Sequence, residues 1–334
     1  RRGRRGDIIR TLAAEFGERK KHIQFVQDRD ADATPIQGVV KAYGAEDELR
    51  DTRYMLVEDF DGGIWHVPAG AIDPTSRPSR GAVVELSRAS ALARASDTAI
   101  ARVADETGGV WSEDLHARHD PGSKPAYRLS LKRRLEALRR AGIGERLASG
   151  EWRIDATFLK RAADYEARRS GGVKLTVLSW LSPEAQIERM GETWIDGLSE
   201  TDAERCIALR KLQMRRQAWL REQDVLQAGQ ATLSDEQRIR MRALDLKQNA
   251  DAIAARSNRT AVDLANGDRL HGRLEGHVDL AAGRMAVIGN AKAFALVPWR
   301  SALGRQTGRE LTLKRTAAGI GWTVGNGRSK GIFR

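Results

Sequence analysis

The sequence predicts an α+β multidomain protein that consists of a small β-barrel, a winged helix-turn-helix, a helical hairpin and a C-terminal β-module. Its 334 residues are enough for about two or three domains of roughly 100–200 residues each. Short β-branched runs separated by Gly and Pro occupy both ends of the chain, whereas helical spacing dominates the middle. Eight Trp among few aromatic residues are typical of several small cores.

The first 90 residues divide into a basic lead-in and a β-rich segment. Residues 1–34 are predicted to be a lead-in and linker with one helix over 8–16. Residues 35–90 contain four short β-branched runs, with hairpin turns such as Asp61-Gly-Gly between them. Strands this short and this few cannot form a wide sandwich. They predict a small β-barrel.

Residues 91–170 change to helical spacing and predict a winged-helix-like domain. The third of its predicted helices, over 129–140, ends at Gly142, which suits a left-handed C-cap. Three leucines lie on one side of this helix: Leu131, Leu135 and Leu138. A tight hairpin that turns at Ser149-Gly150 follows. Three helices and then a hairpin is the order of a winged helix-turn-helix.

The remainder divides into a helical region over 171–258 and a C-terminal β-module over 259–334. The helical region is predicted to break near Gly229 and to restart at the capping signature Ser234-Asp-Glu-Gln. A weak internal repeat relates residues 53–68 to residues 284–298, since each places a strand, a turn and a second strand ending in Val-Pro. Independent hairpins of similar sequence explain it as well as duplication does.

The charge balance predicts a polyanionic partner. The chain has 57 Lys and Arg against 45 Asp and Glu, which gives a formal net charge of +12. Such a surplus favours nucleic acid as the partner. The alternative is a soluble basic protein that binds no polyanion.

Cysteine usage and hydropathy predict a cytoplasmic protein. Cys206 is the only cysteine, so no internal disulfide can form and a reducing compartment is expected. No apolar run is long enough to predict membrane insertion. The chain starts without Met, and we expect it to be part of something longer.

The third predicted helix and the hairpin supply the candidate DNA-binding residues. If its leucines face the core, Ser130, Arg133 and Arg140 face outward at 100° per residue. The predicted DNA-binding set is Arg128, Ser130, Arg133, Arg134, Arg140, Arg146 and Arg153. The alternatives are a solvated helix face that makes no contact and a winged helix that serves as a protein-interaction module.

No catalytic, metal or cofactor site is predicted. His116 and His119 have a spacing that can hold a metal, but a surface pair of histidines is the favoured interpretation. Glu192 and Asp196 are expected on one helix, as a polar face around a buried Trp194. Phosphate loops, dinucleotide fingerprints, nucleophile elbows and zinc ribbons are all absent from the sequence. An independent hydrolase therefore has little support, and the chain is predicted not to be an enzyme.

Six stretches resemble, in order, passages from the C-terminal region of conjugative relaxases, the enzymes that nick plasmid DNA for mobilisation. They are spread over nearly the whole chain. They are Gly38-Val-Val with Tyr54-Met-Leu-Val-Glu-Asp, Leu135-Glu-Ala-Leu-Arg-Arg-Ala-Gly, Gly191-Glu-Thr-Trp-Ile-Asp, Arg216-Gln-Ala-Trp-Leu-Arg-Glu-Gln, Leu296-Val-Pro-Trp-Arg, and Gly321-Trp with Gly327-Arg-Ser-Lys-Gly.

The resemblance implies attachment to an N-terminal, metal-dependent tyrosine nickase. That enzyme has a clustered His-x-His motif, which this chain lacks, so strand cleavage is assigned to no residue here. The implied function is an accessory region that binds plasmid DNA and supports its transfer through type IV secretion. The alternative is a module that docks the relaxase on the coupling protein or on relaxosome proteins.

Overall fold

The computed structural model describes residues 23–30, 33–47, 52–89, 93–317, 319–325 and 328–333. Within these residues, sixteen strands form three sheets, and nine α-helices lie between and beside them. The mixed α+β class is therefore confirmed. The helix predicted over 8–16 lies outside the described residues, as does most of the predicted lead-in.

The first sheet has six strands in the order β1-β4-β3-β2-β5-β9. Its strands are β1 (Ile23–Phe25), β2 (Ile36–Asp47), β3 (Thr52–Asp59), β4 (Ile64–Val67), β5 (Val83–Arg88) and β9 (Val173–Ser179). Strand β1 is parallel to β4, and all other neighbours are antiparallel. One face packs a core that includes Val40, Met55, Val57, Val84 and Leu86.

This sheet is open, which corrects the predicted small barrel. Strands β1 and β9 form its two edges, and no pairing joins them among the described residues. Strand β9 pairs with β5 and so widens the sheet. The sequence alone assigns β1 to the lead-in and β9 to the helical region, because neither short segment shows which strand it pairs with.

Residues 95–169 form a unit inserted between the paired strands β5 and β9, hereafter the inserted unit. Its elements are α1 (Ala95–Glu106), β6 (Val110–Trp111), α2 (Glu113–His119), α3 (Pro125–Arg139), β7 (Glu145–Arg146), β8 (Trp152–Arg153) and α4 (Phe158–Arg169). The three short strands form a sheet in the order β6-β8-β7. The unit has its own core, which includes Ile100, Val103, Trp111, Leu131, Leu135, Leu138, Trp152 and Phe158.

Local sequence explains the shape of α3 and of the hairpin that follows it. Pro125 occupies the first turn of α3, where its missing N–H costs no hydrogen bond. Gly142, just beyond the helix, has a φ of 77°, and Gly150 in the hairpin turn has a φ of 88°. Both values favour glycine. The predicted end of the helix and the predicted hairpin turn are confirmed.

The helical region contains α5 (Pro183–Ile187), α6 (Glu200–Arg205), α7 (Ile207–Glu222) and α8 (Asp235–Ser257), with a 3-10 turn over Trp194–Gly197. The predicted break near Gly229 lies in the loop between α7 and α8. Ser234 caps α8, since its Oγ accepts a hydrogen bond from the backbone N–H of Gln237. None of the described helices combines the length and the apolar character needed to cross a bilayer.

The last sheet has seven strands in the order β10-β13-β12-β11-β14-β15-β16. These are β10 (Thr260–Ala261), β11 (Arg269–Leu280), β12 (Gly283–Gly289), β13 (Ala293–Pro298), β14 (Glu310–Thr316), β15 (Gly319–Val324) and β16 (Arg328–Phe333), with the short helix α9 (Ser301–Gly304) after β13. The two segments of the internal repeat are both hairpins, β3–β4 and β12–β13. Duplication itself stays a prediction.

A buried carboxylate joins the helical region to the last sheet. Asp245 of α8 is 2% exposed and accepts hydrogen bonds from the backbone N–H of Ala281 at 2.8 Å and from Nε of Arg189 at 2.7 Å. Gly191 lies so close that an added Cβ would approach Ala281 and Asp245 to within 3.0 Å. The two parts therefore pack as one body at this point.

Candidate nucleic-acid interface

Helix α3 separates an apolar face from a basic face. Leu131, Leu135 and Leu138 are fully buried in the core of the inserted unit. On the opposite side, Ser130, Arg133 and Arg140 are exposed and Ala137 is half-buried. The orientation predicted for this helix is therefore confirmed.

Positive charge is concentrated along α3. Residues 124–140 contain one acidic residue, Glu136, and seven basic residues: Lys124, Arg128, Lys132, Arg133, Arg134, Arg139 and Arg140. Lys132 forms an ion pair with Glu113 at 2.7 Å, and Arg139 forms one with Glu136 at 2.8 Å. The Arg139 hydrogen bonds lower the pKa of Glu136, which stays ionised and balances part of the charge. The surplus is carried by exposed side chains, among them Lys124, Arg133 and Arg140.

Four predicted DNA-binding arginines lie on the surface of α3 and the β7–β8 hairpin. The side chains of Arg133 and Arg146 make neither a hydrogen bond nor an ion pair with another described residue. Arg140 lies 3.8 Å from Glu136, and Arg153 pairs with Glu145 at 2.9 Å. Exposed ion pairs of this kind contribute little to stability, because water and salt screen them. All four guanidinium groups can therefore exchange solvent or a weak partner for a phosphate.

A groove of about 500 Å³ lies between the end of α3 and the hairpin. Arg139 and Arg146 line it, together with Glu136 and Glu145. Because the walls carry both signs of charge, an anion in the groove would be attracted by the two arginines and repelled by the two glutamates.

The exposed start of α3 also carries apolar side chains that the sequence reasoning missed. Tyr127 is 41% exposed and Leu129 is 40% exposed, next to Ser130. The edge of the Tyr127 ring meets the ring of His116 at a centroid distance of 5.9 Å. An aromatic residue two positions after the helix-starting Pro125 was the available signal. The face thus combines cationic, hydroxyl and apolar groups.

Two residues of the predicted set are engaged inside the unit. Arg134 is 9% exposed and binds Asp97 through two hydrogen bonds of 2.8 Å and Glu166 through one of 2.6 Å. Burial opposes its charge, but these bonds raise the pKa of Arg134 above its ordinary value. Arg128 donates hydrogen bonds to the carbonyl and hydroxyl of Ser123, which closes the loop before α3.

The predicted surface pair of histidines is wrong for His116. Its side chain is buried, and its Nδ1 accepts a hydrogen bond of 3.3 Å from the indole N–H of Trp111. His119 instead lies 2.5 Å from a carboxylate oxygen of Glu106. Sequence spacing placed both on one helix turn but could not show that Trp111 covers the first. Among the described residues, no group of three His, Cys, Asp or Glu could hold a metal ion.

The segment containing Glu192 and Asp196 also differs from the prediction. Residues Trp194–Gly197 form a 3-10 turn that begins after Glu192. Asp196 binds the buried Arg216 of α7, whereas Glu192 binds Arg238 of α8 at 2.6 Å. Trp194 is half-buried and stacks on Phe60. The two carboxylates therefore anchor separate helices and do not share a polar face.

His116→Gln is expected to flatten part of the pH dependence of stability. Burial lowers the pKa of His116 from its ordinary 6.5, so the unfolded chain binds a proton that the folded chain does not. The free energy of unfolding therefore decreases as the pH falls from about 7 toward the folded pKa. Thermal unfolding over roughly pH 5–8 measures this. His271→Gln, at an exposed position, is the control, and an unchanged profile for His116→Gln would contradict the prediction.

The fold and the charge distribution define a mixed α+β protein whose inserted unit displays a concentrated basic face. The chain belongs to the family DUF3363, described as a protein of unknown function, whose model matches residues 1–331. No curated protein and no solved structure matches the chain.

Proposed function

We propose that this chain is the accessory C-terminal region of a conjugative relaxase, and that it binds plasmid DNA through the inserted unit. The resemblance of its six sequence stretches to relaxase passages supports the class. One structural observation carries the DNA-binding proposal: α3 buries three leucines and exposes Arg133 and Arg140 beside a hairpin that exposes Arg146 and Arg153. Strand cleavage is assigned to no residue of this chain.

We also propose that the inserted unit acts as a winged helix. Its elements follow the order α1, β6, α2, α3, β7, β8, which is the order of that fold. Helix α3 would then be the recognition helix and the β7–β8 hairpin the wing. The open first sheet gives no support to a barrel, and none is proposed.

The proposed binding mode uses the two kinds of group on the basic face differently. The major groove of B-DNA, about 12 Å wide, admits one α-helix. The start of α3, with Tyr127, Leu129 and Ser130, would approach base edges and sugars. Four arginines would contact phosphates, which give affinity and position but little sequence information: Arg133, Arg140, Arg146 and Arg153.

The test is a variant in which four exposed arginines become alanine: Arg133, Arg140, Arg146 and Arg153. Because all four are exposed, each change should alter the free energy of unfolding by at most about 0.5 kcal/mol. Duplex affinity should fall, and the slope of log affinity against log salt should decrease by about 0.9 for each phosphate that the variant no longer binds. Titrations of a fluorescent duplex at several salt concentrations measure both quantities.

Two controls separate surface effects from folding effects. Leu135→Ala truncates a fully buried side chain, so it should destabilise the inserted unit by about 2–5 kcal/mol and reduce binding indirectly. A quadruple alanine variant at exposed cations of another region (Arg210, Lys211, Arg240 and Arg256) matches the loss of charge. If the α3 variant binds duplex and single-stranded DNA as tightly as the parent chain, the inserted unit is not the DNA-binding surface.

A further inference from the structure

Helix α7 carries a second unusual surface, remote in sequence from α3. Its inner side buries Leu209, Arg216 and Leu220. Its outer side exposes a stripe of residues at helical spacing, hereafter the α7 stripe: Ile207, Arg210, Lys211, Met214, Arg215, Ala218 and Arg221. From Ile207 to Arg221 the stripe is about 21 Å long at 1.5 Å per residue.

An apolar line runs along the centre of the α7 stripe. Ile207 is 73% exposed and Met214 is 61% exposed, and both exceed the exposure of Tyr127 on α3. At 100° per residue, Ile207, Met214 and Ala218 fall within about 40° of one another, so they form one line along the helix. Anchors two turns apart are the spacing with which helices dock on apolar partners.

Cations flank this line on both sides. Arg210 and Arg221 lie on one side of it, and Lys211 and Arg215 lie on the other. The side chains of Arg210, Lys211 and Arg215 make no hydrogen bond or ion pair with any other described residue. Arg221 donates one bond to the carbonyl of Gln230 at 3.2 Å. Like charges spaced four residues apart, as at 211 and 215, destabilise an isolated helix by a few tenths of a kcal/mol.

We propose that the α7 stripe docks an acidic amphipathic helix of a partner protein. The partner's apolar line would cover Ile207 and Met214, and its carboxylates on both sides would pair with the flanking cations. The same division, an apolar seam with charged flanks that choose the partner, specifies helix pairs in coiled coils. Methionine and arginine are also the residues that protein interfaces enrich.

The apolar line distinguishes this partner from nucleic acid. Phosphate contacts require the cations alone and leave exposed Ile207 and Met214 without a complement. An acidic amphipathic helix satisfies both components and buries the apolar area. The inference is independent of DNA binding by the inserted unit, since it uses other residues and another class of partner.

The test uses the full chain and a synthetic helical peptide. The peptide, about 16 residues long to match the stripe at 1.5 Å per residue, carries a leucine line flanked by glutamates. A scrambled peptide of identical composition is its control, and a short DNA duplex is the third probe. The parent chain should bind the amphipathic peptide at least about tenfold more tightly than the scrambled one, because only the former presents an apolar line.

Two variants test the two components of the surface. Met214→Ser should weaken peptide binding at least about fivefold and leave duplex binding unchanged, because it removes an apolar anchor only. The double variant Arg210→Glu, Arg215→Glu should weaken peptide binding and slow association at low salt. Circular dichroism of each variant verifies that the chain is folded.

Helix α8 provides matched controls with the same chemistry. Ile239 is 65% exposed, similar to the 61% of Met214. Arg240 and Arg256 are exposed cations whose side chains make no hydrogen bond or ion pair with another described residue. Ile239→Ser and the double variant Arg240→Glu, Arg256→Glu should leave peptide binding unchanged. Equal binding of both peptides, or equal losses in the α8 variants, would overturn the proposal. A third outcome would also overturn it: Met214→Ser leaves peptide binding unchanged, and the double variant Arg210→Glu, Arg215→Glu loses duplex binding. That result would assign the α7 stripe to phosphate binding.

Discussion

Arg216→Ala is expected to lower the free energy of unfolding by about 3–5 kcal/mol, the range for breaking a buried ion pair from one side. Arg216 is 1% exposed, and its guanidinium binds the Asp196 carboxylate through two hydrogen bonds of 2.9 and 3.0 Å. It also donates to three backbone carbonyls at 2.7–3.0 Å: those of Ile187, Arg189 and Gly191. Alanine would leave the buried carboxylate and all three carbonyls without this donor.

Urea denaturation of the parent chain and three variants measures this effect. Arg221→Ala, at an exposed position of the same helix, should change the free energy of unfolding by at most about 0.5 kcal/mol. Arg216→Lys keeps the charge but cannot form the planar fork on Asp196, so an intermediate loss is expected. A loss below about 1 kcal/mol in Arg216→Ala would show that this ion pair does not anchor the turn at 193–197.

The sequence was sufficient where local rules decide the structure. The leucine spacing in α3, the positive φ at Gly142 and Gly150, and the capping box at Ser234 all depend on residues within a few positions of one another. The exposure of Ser130, Arg133 and Arg140 followed from the same periodicity. A helix that buries one face must expose the other, whatever the rest of the chain does.

Long-range pairing was beyond such rules. Strand β9 pairs with β5, although the whole inserted unit separates them in sequence. Arg216 of α7 forms an ion pair with Asp196, which lies in the 3-10 turn before α6. His116 became a buried residue because Trp111, from a neighbouring strand, covers it. In each case the decisive contact lies between segments whose own sequences allow several partners. The resemblance had already singled out the stretches of Asp196 and Arg216, without indicating that they bind each other.

Arg134 lies at the border of the buried leucine face of α3. At 100° per residue, Arg134 lies about 65° from the centre of the leucine face, whereas Arg133 lies about 165° from it. A side chain at the border of the buried face can turn inward when carboxylates are present. Asp97 of α1 and Glu166 of α4 supply them. The adjacent arginines therefore have different roles, although both belonged to the predicted DNA-binding set.

Arg134→Ala is consequently expected to destabilise the inserted unit by about 3–5 kcal/mol, because Asp97 is 0% exposed and would lose its ionic partner. Arg133→Ala removes the same charge one residue away at an exposed position, so the free energy of unfolding should change by at most about 0.5 kcal/mol. Urea denaturation and duplex titration of both variants give stability and affinity separately.

Arg133→Ala should change mainly the salt dependence of duplex binding, whereas Arg134→Ala should change mainly the free energy of unfolding. Arg133→Ala should weaken duplex binding and reduce the salt slope while leaving the chain folded, because it removes an exposed cation. Arg134→Ala, measured at a temperature where it is still folded, should keep the parent salt slope, because its guanidinium is held by Asp97 and Glu166 and does not reach a phosphate. The opposite result would be a reduced salt slope for folded Arg134→Ala together with parent-like stability. Arg134 would then belong to the DNA-binding face, and a phosphate could replace Asp97 and Glu166 as its partner.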